Sequence, residues 1–254
     1  MKLYKFFLVS FALSSLCYFG QAQDSRIKIV QPTVQQEATS IWRTINDITF
    51  LKNQGYQINL PKDPLIDSLI TKATKGTFSN EDFSAIYTLV DSKVFDEKKY
   101  TKAIQKVKNQ KDLLNGLIDE IVHEKSNWDW DFKLFNTYKI VFTLYGTGGS
   151  YDPEEGIITL LTNAEGDFMK YKNPANTIIH EITHMGMEDA IVRKYRLSHG
   201  LKERMVDTFV YLMFSENLPE YEIQSMGDEH IDRYVNEKKD LGSLNKIVAE
   251  FLKK

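Results

Sequence analysis

The chain has 254 residues, 42% hydrophobic and 26% charged, with 32 lysines and arginines against 35 aspartates and glutamates and a net charge of −3 at pH 7. That length suits one domain or a small pair, and the mildly acidic, well-mixed charge gives no support for a nucleic-acid partner or an anionic membrane surface. The single cysteine, Cys17, leaves no internal disulfide, so stability must come from the core, the size of the chain and a bound ion if there is one.

At the N-terminus, Lys2 and Lys5 precede an apolar run over residues 6–19, and Gly20 and Ala22 supply small residues for cleavage. This is the pattern of a secretory signal peptide, residues 1–22, too short to argue for a membrane span. The mature chain is therefore expected to be exported, to a bacterial periplasm or the medium, with no transmembrane anchor. Losing Lys2 and Lys5 takes its net charge to −5. Leu16 stands where a lipoprotein needs a small residue before Cys17, which argues against lipid attachment.

Residues 23–127 read as helical. Thr33 can cap a pattern running through Ile41, Trp42, Ile45 and Ile48 to a stop near Gly55. Asp63-Pro64 opens a second helix through Leu65, Ile66, Leu69 and Ile70, closing at Gly76. Ser79 with Asp82 resembles a capping box and opens a third through Phe83, Ile86 and Leu89. A fourth, longer pattern spans residues 97–123, and its basic stretch 98–111 is the solvated side of a helix.

From Trp128 the period changes to two. Trp128, Trp130, Phe132 and Leu134 alternate with charged residues, and residues 139–145 are rich in β-branched and aromatic side chains. A glycine-rich turn over residues 146–150 leads to another strand at 156–162. A small β layer is thus predicted just before the most informative segment, His180-Glu181-Ile182-Thr183-His184.

Asn173-Pro174 is a good helix start, and Ile178, Ile179, Ile182, Met185 and Ile191 recur at helical spacing, so residues 174–195 are predicted as one amphipathic helix. On it, His180 and His184 stand one turn apart on the same face and can reach one ion, while Glu181 projects beside that ion. A second helix follows the break at Ser198-His199-Gly200, with Leu201, Met205, Val206, Phe209, Val210, Met213 and Phe214 on its apolar side. Glu203 reads as a third metal ligand. Asp207, set among apolar neighbours, reads as the hydrogen-bond partner of a ligand histidine, His180. The competing reading keeps Glu203 solvated beside Lys202 and Arg204 and Asp207 in a structural hydrogen bond.

This arrangement resembles the gluzincin group of metallopeptidases, the thermolysin-like clan, whose signature is an H-E-x-x-H helix followed by a helix bearing a glutamate and, four residues on, an acid. Here Glu203 lies nineteen residues after His184. The resemblance covers about forty residues and implies His180, His184 and Glu203 as ligands of one Zn2+ per chain, Glu181 as general base and Asp207 as partner of a ligand. It also implies an α+β, mostly helical fold: a zincin-like core over residues 128–254, preceded by the helical region 23–127. In such folds an edge strand above the cleft pairs with substrate, and residues 156–163 are the candidate here. Asn163-Ala164 is similar to the pair that holds substrate in thermolysin-like enzymes. The tyrosine and histidine that stabilise the transition state there have Tyr195 and His230 as nearest candidates, with His199 and Tyr211 competing. The helical N-terminal half departs from thermolysin itself, so substrate preferences do not carry over.

The expected activity is hydrolysis of a peptide or protein substrate by zinc-activated water, with Glu181 moving the proton. Two other classes compete with it. One is an exported binding or regulatory protein with a structural or inactive zinc site, closed by His199 as fourth ligand. The other is a metal-free helical export factor in which the motif is accidental. The intact Glu181 favours the hydrolase, since a structural site has no need of a base.

Overall fold

A computed structural model describes residues 25–253 other than Lys170 and Met226. The expected leader, Cys17 included, lies outside the described residues. Among those described, no helix is long and apolar enough to cross a membrane.

The N-terminal helices begin where side chains can cap free amides. Thr33 and Gln36 form a reciprocal capping box at α1, Val34–Asn46, which a break at Asp47 separates from α2, Ile48–Asn53. Asp63 accepts from the Leu65 amide at 2.9 Å and Pro64 takes the first position of α3, Pro64–Thr74. Ser79 and Asp82 form the box that leads into α4, Phe83–Leu89. Gly55 and Gly76, at φ of 76° and 72°, end their helices in the left-handed region that glycine adopts without a Cβ clash.

The long pattern over residues 97–123 is two helices, α5, Thr101–Lys108, and α6, Lys111–Glu124. Asn109 is drawn into a bond with Gln105 at 2.9 Å, and Gln110, at φ −102° and ψ 1°, leaves the helical region between them. Helical periodicity runs straight through such a break because the apolar residues resume in phase.

Four strands form one mixed sheet: β1, Ile27–Ile29; β2, Tyr138–Thr143; β3, Gly149–Asp152; and β4, Ile157–Leu161. The order is β1-β2-β4-β3, with β1 and β4 parallel to β2 and β3 antiparallel to β4. Two expectations are corrected. The region before residue 128 contributes a strand, β1, so it is not wholly helical. The strand within 156–163 is an inner one, and the edge is β3, which emerges from the glycine-rich stretch read as a turn.

A third correction concerns residues 128–134, which form no ladder. Their alternation does mark a buried side, since Trp130 is 7% exposed and Phe132 fully buried. The backbone, however, bonds elsewhere: Lys133 N donates to Gly186 O at 3.0 Å and Asp129 N to Gly242 O at 2.8 Å. The Trp130 indole donates to Leu241 O at 2.8 Å. Phe132 lies so close to Gly186 that a Cβ there would stand 2.0 Å from its ring.

One face of the sheet, Ile140 and Phe142 with their register partners Ile158 and Leu160, packs on Ile178, Ile179 and Ile182 of α7, Pro174–Met187. Burial of each such side chain contributes about 1.5–3 kcal/mol. Residues of α5 and α6 join this same large cluster. A smaller cluster joins Ile41 and Ile45 of α1 to Ile66, Leu69, Ile86 and Leu89. The change of packing therefore falls between α4 and α5.

Two polar ties join the smaller cluster to the sheet. Asn59 and Gly146 exchange backbone bonds at 2.8 and 2.9 Å, with Asn59 Nδ2 on Leu144 O. Glu37, 1% exposed on α1, accepts from Leu144 N at 2.9 Å, and the Thr143 and Tyr100 hydroxyls act on the same carboxyl, partly offsetting its burial. Burial pushes the Glu37 carboxyl above its ordinary value of 4.5. The folded chain therefore holds this proton more tightly than the unfolded chain, so the stabilisation is complete below pH 4.5 and is lost as pH rises through the raised value. Glu37→Gln removes the ionisable group and keeps the acceptor. Its melting temperature at pH 7 is expected to rise by roughly 2–4 °C, with a flatter pH profile. A parent-like or lower value at pH 7 would show that the carboxylate is not a net cost.

Candidate metal centre

Helix α7 carries the motif because its start is well specified. Asn173 accepts from Ala175 N at 2.9 Å and Pro174 needs no partner at the first position. Every residue of α7 except Thr177 is buried; the Thr183 hydroxyl donates to Ile179 O at 2.9 Å, while both amide atoms of Asn176 and His184 Nδ1 find no hydrogen-bond partner among the described residues. Its neighbour α8, His199–Phe214, is capped by Ser198 and buries Glu203 and Asp207 on the side facing α7.

The two histidines and Glu203 converge. His180 Nε2 and His184 Nε2 are 3.0 Å apart, and Glu203 Oε2 is 3.7 Å from the first and 3.3 Å from the second. Tetrahedral ligand atoms at bonds of ~2.0–2.1 Å lie about 3.3 Å from one another, so these separations bracket what one divalent ion needs. Among the described residues, this is the His/Cys/Asp/Glu cluster able to hold a metal ion.

The hydrogen bonds assign the tautomer of His180. Its Nδ1 lies 2.7 Å from the Tyr221 hydroxyl and 3.2 Å from Asp207 Oδ1. Tyr221 in turn donates to Asp207 Oδ1 at 2.8 Å, and Gln224 N donates to Oδ2 at 2.8 Å. A proton on Nδ1 satisfies these acceptors and leaves a lone pair on Nε2, facing His184 and Glu203. His184 stacks on Tyr151, centroids 5.0 Å apart, and burial pushes its pKa down to about 4, keeping it neutral. Burial opposes charge on His180 too, yet the Asp207 and Glu203 carboxylates outweigh it and lift that ring to about 10. Glu203 goes well below the carboxylate range because both histidines outweigh its burial. Three acceptors around one point demand positive charge there, which a proton supplies in the protein alone and a metal ion can supply instead.

Glu181 is 6% exposed, and burial raises its carboxyl to about 7, with His180 pulling down and Glu203 pushing up. It faces β3 at a point where a Cβ on Gly149 would stand 2.3 Å from Glu181 Oε1. The glycine lets the edge strand approach this carboxylate.

These groups lie in a cleft of about 670 Å³, whose lining includes Gly149, Ser150 and Tyr151 from the edge strand and Phe50 and Tyr56 from the N-terminal helical region. His199 also lines it, with Nε2 3.0 Å from the Tyr56 hydroxyl and Nδ1 3.6 Å from Glu203 Oε1. Other candidates fall outside this lining. Tyr195 donates to the carbonyl of Asn245 in α9, Leu244–Phe251, at 2.8 Å. The His230 side chain is 78% exposed and bonds Asp228, and Tyr211 is 42% exposed on α8. Asn163 accepts from Asp167 N inside its own turn. Neither Tyr195 nor His230 is therefore placed to act at the cluster.

Sequence reading missed four side chains of the site: Tyr56, Tyr151, Lys202 and Tyr221. Tyr56 is 143 residues from His199, and no local pattern links them. Tyr221 follows Asp207 by 14 residues, in a stretch without helical periodicity. Only Lys202, beside Glu203, had a positional signal.

No family model, curated protein or solved structure matches the chain. The geometry therefore stands on its own residues. Equilibrium dialysis of chelator-treated protein is expected to find one divalent ion per chain, lost in His184→Ala. Tyr221→Phe, which removes the bridge between His180 and Asp207, should weaken the affinity about 10- to 100-fold. Undiminished uptake by His184→Ala would dismiss this cluster as the binding place.

Proposed function

We propose that the chain is an exported zinc-dependent peptidase of the H-E-x-x-H type, a divergent relative of the gluzincins, in which His180, His184 and Glu203 hold the ion. The observation that carries this reading is the position of Glu181, a buried carboxylate beside the three ligands and under the edge strand β3. Two imidazoles and a carboxylate are the donor set that suits zinc among abundant divalent ions. A closed structural ion is disfavoured by His199, which engages Tyr56 through Nε2 and approaches only the outer oxygen of Glu203. The residues 1–22 with the pattern of a leader support export.

Zinc, when bound, lowers the pKa of a coordinated water and polarises the scissile carbonyl. The chain's own residues supply the rest. β3 pairs with β4 on one side only, so its outer backbone groups can hold an extended peptide by main-chain hydrogen bonds. Glu181, next to that strand, takes the proton from the attacking water and passes it to the leaving nitrogen. The Asp207–Tyr221 pair keeps the His180 ring oriented throughout. The Tyr56 hydroxyl and His199 ring in the cleft lining are donors that can reach a developing oxyanion.

Glu181→Gln keeps the ligands and removes the base. It is expected to retain the ion at parent stoichiometry and to lose about 10³-fold in the rate of peptide cleavage. Metal analysis and cleavage of a mixed peptide library, run on the same samples, check both halves. Equal cleavage by the two proteins would falsify the assignment of Glu181.

A further inference from the structure

Charge in the cleft is unevenly arranged. Its lining contains two carboxylates, Glu181 and Glu203, both already committed to the chemistry, and two permanent cations, Arg43 and Lys202. Lys202 sits next to the reacting centre. Its Nζ is 3.4 Å from Glu203 Oε1 and 5.7 Å from the Tyr151 ring centroid, and its side chain is 19% exposed. The ammonium is thus held between the edge strand and the outer oxygen of a metal ligand, with one side open to the cleft.

The balance of charge follows from which Glu203 oxygen does what. Oε2 faces the two histidines, and Oε1 faces Lys202 and His199. With a divalent ion among the ligands, the Glu203 charge is shared with that ion and neutralises Lys202 less. Glu181 offsets one unit more. The cleft is then net positive, in a chain whose total charge is −3. A net-positive, partly desolvated pocket on an acidic protein selects for an anionic group, because there the attraction is least screened by water.

We propose that Lys202 is a specificity-determining residue that pairs with a carboxylate of the substrate next to the scissile bond. This rests on the peptidase reading above and deepens it, by naming the substrate class as peptides with a carboxylate at that position. Either an acidic side chain or the free C-terminal end of a chain supplies the same chemistry. A peptide laid along β3 with its carbonyl at the ion passes Lys202, since Tyr151 of β3 lies beneath the ammonium. Simple support of Glu203 is the competing role, and it makes no distinction among substrates.

The test uses zinc-loaded protein and matched peptides that differ only in Asp or Glu against Asn or Gln, or in a free against an amidated C-terminus. The parent is expected to favour carboxylate peptides about tenfold or more in kcat/KM. Lys202→Gln should lose most of that ratio, Lys202→Arg should keep it, and Lys202→Glu should turn it toward lysine and arginine peptides. Loss of preference on amidation identifies the chain end, and loss on Asp→Asn or Glu→Gln identifies a side chain. A parent with no carboxylate preference overturns the proposal. So does a Lys202→Gln protein that slows all peptides equally, which makes Lys202 a support for Glu203. Peptide binding to zinc-loaded Glu181→Gln, followed by fluorescence anisotropy, reads the same preference without turnover. A parent that cleaves nothing therefore counts against the peptidase reading, and the binding ratio alone then decides the role of Lys202.

Discussion

Two imidazole nitrogens and a carboxylate oxygen, all turned towards one point and separated by 3.0 to 3.7 Å, form an arrangement that a protein interior does not tolerate without a cation. Each of the three is an acceptor when the histidines are neutral, and all three are removed from most contact with water. The fold keeps them together by brute packing. α7 is buried nearly all round between the sheet and the helices, and α8 lies against it with Glu203 and Asp207 on the shared side. Rotating either helix to relieve the acceptors would expose isoleucine, valine and phenylalanine side chains that are now fully buried. The strain of convergence is thus held by the hydrophobic core and relieved by positive charge.

The N-terminal helices take part in this arrangement without supplying a ligand. Their cluster around Ile41, Ile45 and Ile86 is separate from the core beneath the sheet, and polar ties at Glu37 and Asn59 carry them onto the strands. Those ties place residues 55–57 along the cleft, where Tyr56 meets His199. The wall of the site facing solvent is therefore built from residues far from the motif in sequence. That wall turns the His180–His184–Glu203 cluster from a patch on a helix surface into the floor of a cleft.

Legibility in the sequence followed the range of the interaction responsible. Caps at Thr33, Asp63, Ser79 and Asn173 are decided within three residues, and each stands where local chemistry put it. The convergence of His180, His184 and Glu203 was readable because helical spacing supplies one half and the apolar pattern of α8 the other. Asp207 was readable for the same reason, its partner His180 included. Strands were harder, since a ladder depends on a distant partner. Residues 128–134 alternate like a strand yet bond to Gly186 and Gly242, while β3 is a strand hidden in a glycine-rich stretch. Tyr195 and His230 looked near the site by number and are turned away from it by Asn245 and Asp228. Tyr56 and Tyr221 reach it through contacts that no period encodes.

The glycine at 149 shows why the edge strand escaped a pattern-based reading. Strand propensity rewards branched and aromatic side chains, and glycine counts against a strand because it adds nothing to the pleated surface. Here the absence of a side chain is the contribution. A methyl group at that position would overlap Glu181 Oε1, so any other residue would force the strand outward or the carboxylate aside. Close approach of the strand covers Glu181, and cover is what raises its proton affinity, since desolvation is the largest influence on that group. Loss of strand propensity at one residue and gain of a buried carboxyl that holds its proton tightly are thus a single structural choice. The same logic accounts for Gly186, where the missing Cβ admits Phe132 against the end of α7. At both places backbone is brought into contact with a side chain, Glu181 of the site in one and Phe132 of the core in the other, and the missing Cβ is what allows it.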